Sequence, residues 1–248
     1  MARTIRRMLL CPTLCLLSFQ PSYGQSDPAT NEYRVTIVPS HPITESVTGF
    51  GHLSYSNDPQ SNRSTYALGY PEISYTARPW FQIWGGVRGI YTDNQGTEDT
   101  FELRTFIGPK FFIPNKRKMT IFNYTRYEAR NIYDHGAHDW TLNNRIRSRF
   151  GAEIPLTSVV NAWKPKTFYT LIDVEPFWQS GAGLNMVRFC AGLAYIPDDH
   201  IRLEFIYHTQ WGQEAGNDAL VYNQNIFRVN IKVGLKHGLL DKVSNPGS

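Results

Sequence analysis

Over most of this chain hydrophobic and polar positions alternate with a period of two, and helical periodicity is hard to find. The clearest case is 225–236. Phe227, Val229, Ile231, Val233 and Leu235 fall on one face, and Arg228, Asn230, Lys232, Gly234 and Lys236 on the other. A strand turns successive side chains to opposite sides, so such a segment meets an apolar phase on one side and a polar phase on the other. The pattern recurs in 99–113, where Phe101, Leu103, Thr105 and Ile107 oppose Glu102 and Arg104. In 139–154, Leu142, Ile146 and Phe150 oppose Arg145, Arg147, Arg149 and Glu153. In 185–196, Val187, Phe189, Leu193 and Tyr195 oppose Arg188, Gly192 and Ala194. In 201–212, Ile201, Leu203, Phe205, Tyr207 and Trp211 oppose Arg202, Glu204, His208 and Gln210.

Segments 45–56, 64–76, 80–92 and 166–179 are less regular candidates, and 118–132 carries Arg126, Glu128 and Arg130 on one face. The count is about ten strands, with an upper count of about twelve; most are long for a soluble sheet and suited to tilted membrane strands. Residues 33–38, before Pro39, are a candidate for one more short strand. The connections alternate. The polar runs 57–62, 93–97, 133–138, 179–183 and 212–219 are mostly longer, while 78–79, 114–117 and 197–200 are tight and 156–165 is an exception. Sorting of this kind predicts an all-β, antiparallel, up-and-down transmembrane barrel with both termini in the periplasm.

Periodicity alone leaves the lipid-facing phase open. A lipocalin-like soluble barrel puts apolar residues inside, and a membrane barrel inverts this. The apolar faces carry aromatics near strand ends (Trp80, Tyr195, Tyr207, Trp211), as interfacial girdles do. The polar faces mix signs densely and prefer Arg to Lys, which fits bidentate pairing in a confined lumen. The membrane reading is preferred, with a soluble periplasmic binding protein as its alternative.

The ends and the composition add the compartment. Arg3, Arg6 and Arg7 precede a short apolar stretch from Met8 to Phe19, and Ser22-Tyr23-Gly24 offers small residues for cleavage before Gln25. That order predicts a secretory signal peptide, because the stretch is shorter than the ~20 residues of a spanning helix. The expected layout is a signal peptide at 1–24, a periplasmic segment at 25–44, the barrel at 45–237 and a polar tail at 238–248. Cleavage removes Cys11 and Cys15 and leaves Cys190, which excludes an intramolecular disulfide and suits a buried thiol. The chain has 14 Tyr, 14 Phe and 6 Trp with low mean hydropathy, as alternating strands require. Its net charge of +4 is mild and scattered, which disfavours nucleic acid as a partner. The expected partners are outer-membrane lipid, periplasmic chaperones and the barrel-assembly machinery, with any external ligand unspecified.

Four stretches carry a family likeness. Tyr124-Thr-Arg-Tyr-Glu-Ala-Arg130, Trp140-Thr-Leu-Asn-Asn-Arg-Ile-Arg-Ser-Arg-Phe150, Asp173-Val-Glu-Pro-Phe177 and Asn185-Met-Val-Arg-Phe189 together resemble the family called domain of unknown function 2490. The resemblance runs over roughly 45–237 and implies a signal-bearing outer-membrane β-barrel of a Gram-negative bacterium, with no established activity to transfer. The chain departs from typical barrel proteins in ending on a polar tail rather than a terminal aromatic.

No catalytic motif stands out. The chain lacks a G-x-S-x-G elbow, H-E-x-x-H, a P-loop and a Cys/His cluster. It is read as a non-enzyme with no cofactor. His135 and His138, beside Asp134 and Asp139, have a spacing that could bind a divalent metal, but a solvated polar loop is the preferred reading, with no metal assigned. His208 is a candidate for rim chemistry in a barrel enzyme acting on lipid or peptide, and more simply for an internal hydrogen-bond network. The expected network comprises Glu102, Arg104, Arg126, Glu128, Arg130, Arg145, Arg147, Arg149, Glu153, Asp173, Glu175, Arg188, Arg202, Glu204, His208, Arg228 and Lys232. Ten of these are basic Arg or Lys and six acidic. If the charges pair, they plug a narrow lumen and the protein is structural or surface-binding. If water passes, the basic excess makes an anion-leaning pore.

Overall fold

The computed structural model describes residues 29–115, 119–156, 165–213 and 219–235. The signal-peptide and polar-tail assignments lie outside the described residues, as do most of 156–165 and the centre of 212–219. Eleven strands follow one another: β1 (Thr30–Pro42), β2 (Val47–Asp58), β3 (Arg63–Arg78), β4 (Phe81–Asn94), β5 (Thr100–Ile113), β6 (Thr120–Asp134), β7 (Asp139–Pro155), β8 (Thr167–Gln179), β9 (Gly183–Ile196), β10 (Ile201–Gln213) and β11 (Leu220–Gly234). Each pairs with its sequence neighbours, and β1 meets β11 to close the barrel. Consecutive pairs are antiparallel, while the closing β1–β11 pair is parallel, in register from Thr30 opposite Gln224 to Ser40 opposite Gly234. Closure satisfies every edge, the condition a sheet must meet before it can enter lipid.

The alternation read from the sequence is the alternation of the barrel wall. On β10, Arg202, Glu204, Ile206, His208 and Gln210 are buried while Phe205 and Tyr207 are exposed. On β7, Arg145 and Glu153 are buried while Leu142, Ile146 and Phe150 are exposed. The buried phase is charged and the exposed phase apolar, the reverse of a soluble barrel. Glu128 has no solvent exposure at all, whereas Leu68 and Leu142 are each 60% exposed.

Three expectations change. The barrel begins at Thr30 rather than at 45, since most of the segment read as periplasmic is a full strand. Its Glu32, Arg34 and Thr36 alternate with the exposed Tyr33, Val35 and Ile37, the same pattern as the other strands. Because β1 makes the strand number odd, its start and the end of β11 lie at opposite ends of the barrel, so the two termini of the barrel do not share a side. The sorting of loops by length also disappears. Strands run on into the polar runs, leaving 59–62, 95–99, 135–138, 180–182 and 214–219 at one end, called here the upper end, against 43–46, 79–80, 114–119, 156–166 and 197–200 at the lower end. Polar residues at strand tips keep pairing beyond the apolar belt; Asp134, for example, still pairs with Asp139.

One glycine is demanded by close approach. A Cβ on Gly108 of β5 would overlap the carbonyl oxygen of Thr125 and the Cα of Arg126 on β6. At Gly89 the nearest atom to such a Cβ is 3.6 Å away, an ordinary contact. We predict that Gly108→Ala lowers stability by about 1–3 kcal/mol through overpacking, while Gly89→Ala stays near wild type. Urea unfolding of the two refolded variants, followed by tryptophan fluorescence, measures the difference.

Candidate functional site

Closure turns the buried phase of every strand into one lumen. The strongest centre is Glu128 on β6. It takes Arg126 Nη2 at 2.6 Å, Arg145, and Arg147 Nε at 3.2 Å, so one carboxylate serves three guanidiniums. Arg147 reaches on to Glu175 at 3.3 Å. Glu102 of β5 receives a two-pronged fork from Arg130, Nε to Oε1 at 2.9 Å and Nη2 to Oε2 at 2.8 Å, and a second cation from Arg104 at 2.5 Å. Arg149 pairs with Asp173 at 2.5 Å. Charge-assisted forks of this kind are the strongest hydrogen bonds available in a confined site.

A separate cluster fills the lower half of the lumen. Arg202, 2% exposed, bridges Glu153 at 2.8 Å and Glu204 at 2.7 Å. Lys232 joins Glu204 at 2.7 Å, and Asn230 donates to its other oxygen at 2.8 Å. Tyr169, Ile196, Thr167 and Ala194 are buried around this cluster and close the lower half. Of the seventeen residues expected in the network, fourteen thus join ion pairs in the wall. Three do not. Two of these, Arg188 and Arg228, also point inward but bond to amides: Arg188 Nε donates to Gln210 at 2.8 Å and Arg228 Nε to Asn230 at 2.5 Å. His208 belongs to neither group of pairs and is buried in the lumen wall.

Members of the network escaped the sequence reading. Glu32 and Arg34 pair on β1, and Arg88 on β4 pairs with Glu72 on β3. The Glu-x-Arg alternation of β1 was a visible signal, masked by the short strand length allotted to it. Glu72 follows Pro71 and Arg88 sits among Gly85, Gly86 and Gly89, where period two is hard to see. A second omission is the inward aromatics. Phe177 is fully buried with Arg145, Arg147 and Arg188 over its ring at 5.1, 5.5 and 5.0 Å. Arg126 lies 4.8 Å from the centre of Phe106, and Arg202 4.4 Å from that of Tyr169. Ring faces attract cations, so these side chains stabilise charge where a carboxylate would not fit.

Above the lower cluster lies a cavity of about 530 Å³. Its lining runs from Trp84, Tyr124 and Arg149 up to Arg63, Thr65 and Thr92 at the upper rim. Eleven arginines line it against three glutamates. The 135–138 connection sits apart from it. There Asp134 accepts backbone hydrogen bonds from Gly136 at 2.8 Å and Ala137 at 3.0 Å, and His135 packs edge-on against Tyr133. Both bonds fall on Oδ1, which is spent on the turn itself. Among the described residues no group of three His, Cys, Asp or Glu side chains is placed to hold a metal. Cys190 is buried and unpaired, beneath Ile206 and Tyr169.

Residues 36–221 match the family model described as protein of unknown function (DUF2490). A search of curated proteins finds no match to the chain. The matched span takes in most of β1 and continues to the start of β11, and so contains the Glu128 and Glu102 centres.

Removing the Glu128 charge would leave the buried Arg126 and Arg145 without their carboxylate and Arg147 with Glu175 alone. We predict that Glu128→Gln, which keeps the shape, destabilises the barrel by about 3–5 kcal/mol, the usual cost of breaking a buried pair from one side. The urea midpoint measures it; a midpoint within error of wild type would show that the centre is solvated rather than confined.

Proposed function

The chain belongs to the DUF2490 family of proteins of unknown function, and we propose that it is an outer-membrane β-barrel with a closed, ion-paired lumen, acting as a structural or surface-binding protein and not as an enzyme. The observation that carries this reading is the inverted wall. Phe189, Leu193, Phe205, Ile107 and Leu68 stand exposed on the outside of a closed sheet whose inside is charged. An exposed apolar surface of that extent would aggregate in water and is at home in lipid. No helix among the described residues is long and apolar enough to cross a membrane, so the crossing element is the strand. The basic n-region and apolar stretch at the N-terminus support export, and export supports the outer membrane as the destination.

A narrow anion-leaning pore is the second reading, favoured by the arginine-lined cavity. The lower cluster around Arg202 and Glu204 argues against it, since both side chains are 2% exposed and fill the path an ion would take. A lipocalin-like periplasmic protein is disfavoured by the charged interior.

Two measurements separate the readings. Expressed with its N-terminal segment in a Gram-negative host, the protein is expected in the outer-membrane fraction, migrating differently on a gel with and without boiling. In planar bilayers it is expected to give no steady conductance; reproducible anion-selective steps would replace the closed lumen by the pore. A third outcome is expected in lipid vesicles. Phe205→Arg should cost about 2–4 kcal/mol of folding free energy, as a charge on the lipid face does near mid-membrane. A soluble protein would tolerate that change, so an unchanged urea midpoint would sink the membrane reading.

A further inference from the structure

The ion pairs do not reach every cation in the cavity. Arg188 on β9 and Arg228 on β11 each donate to an uncharged amide oxygen, and neither forms an ion pair among the described residues, although Glu175 stands across from Arg188 in the β8–β9 register and is held by Arg147. Guanidinium does not shed its proton under these conditions, so both charges stand. A third cation, Arg34 on β1, lies directly opposite Arg228 in the parallel register that closes the barrel. Like charges facing each other across a strand pair repel. Arg34 has a single carboxylate partner, Glu32. His208 on β10, between the strands of Arg188 and Arg228, is 7% exposed, and its Nδ1 finds no hydrogen-bond partner among the described residues. Arg188 and Arg228 stand on the strands that flank it, and Arg34 and Arg149 line the same cavity. These side chains all line the cavity of about 530 Å³.

We propose that this cavity binds a multiply charged oxyanion of the phosphate class, held by Arg34, Arg188 and Arg228, with His208 supplying a hydrogen bond. Three guanidiniums converging from three strands call for more than one negative charge. A tetrahedral phosphate offers several oxygens to separate forks, where a carboxylate offers two. The volume exceeds that of a bare phosphate and lies in the usual range of about 300–1,000 Å³ for small-ligand sites, so the anion carries an organic body. Arg63, Thr65 and Thr92 at the upper rim mark the way in. The site rests on the closed, polar lumen of the reading above but does not depend on whether the barrel conducts.

The test uses the full barrel refolded in a non-ionic detergent, after the cold and boiled forms have been shown to migrate differently. Inorganic pyrophosphate is titrated by calorimetry at fixed ionic strength, with chloride as the control anion and, in a parallel arm, phosphatidic acid in mixed micelles. The expected result is saturable binding of pyrophosphate, of the phospholipid, or of both, unmatched by chloride. Binding of pyrophosphate alone assigns a soluble phosphate, and binding of the lipid alone assigns a headgroup. Arg188→Gln and Arg228→Gln should each weaken binding roughly tenfold or more, the loss of one charge-assisted hydrogen bond. Arg188→Lys and Arg228→Lys, which keep the charge and the fold, should fall in between. No saturable binding by either probe, or equal affinity in the folded Gln variants, overturns the site while leaving the barrel intact. Absence of any heat-dependent migration would instead remove the barrel reading and the site with it.

Discussion

Everything inside this barrel is governed by the need to neutralise fixed guanidinium charge in a space too small for bulk water. Closing eleven strands commits one side chain in two to the lumen, and the outward phase is already apolar. The inward phase is therefore polar, and each charge that enters must find a partner or be costly. Arg suits this role better than Lys. The guanidinium presents several donors in a plane, reaches two carboxylates at once, and lies flat on an aromatic ring. Arg202 uses all three properties together, on Glu153, Glu204 and Tyr169.

Carboxylates are fewer than cations along the cavity, and the geometry shares them. Glu128 serves three arginines and Glu102 two, each placed on a strand beside its partners so that cross-strand neighbours need little side-chain reach. Phe177 and Phe106 then act as supports for the cations that sharing leaves incompletely matched. The balance changes along the axis. In the lower half Glu153 and Glu204 take Arg202 and Lys232, Lys110 lies over the rings of Trp84, Phe112 and Phe122, and the side chains pack closely. In the upper half arginines outnumber glutamates and the lumen opens.

Much of this was legible in the chain. Period two identified ten of the strands, and the phase carrying Arg145, Arg147, Arg149 and Arg202 was recognisable as the lumen because a solvated surface has no reason to prefer Arg so strongly. Three features were not legible, for different reasons. The pairing partner of any one arginine depends on strand register, and period two says nothing of register. The inward aromatics were invisible because Phe106, Phe122 and Phe177 interrupt the polar phase with residues that seem to belong to the other. The manner of closure was unreadable because parity decides it: with β1 counted the number is odd, and only then does the chain close by a parallel pair with its two barrel termini at opposite ends.

Parity also explains why the unmatched charge gathers where it does. At each antiparallel seam two neighbouring strands are joined by a hairpin, so their inward residues are close in sequence and complementary signs are easily set side by side, as in Arg126, Glu128 and Arg145 around the β6–β7 turn. The β1–β11 seam has no such connection. Its register sets Arg34 against Arg228 and Glu32 against Ile226, so the carboxylate falls one inward step away from the cation across from it. Sliding the seam by two residues would bring Glu32 opposite Arg228 and would also shift Tyr33, Val35 and Ile37 against Phe227, Val229 and Ile231 on the outer face, where Tyr33 and Phe227 stack at 5.5 Å. The outer stack and the inner repulsion are thus settled by one register. The cationic pair at the seam persists because the wall that holds it is fixed from the other side.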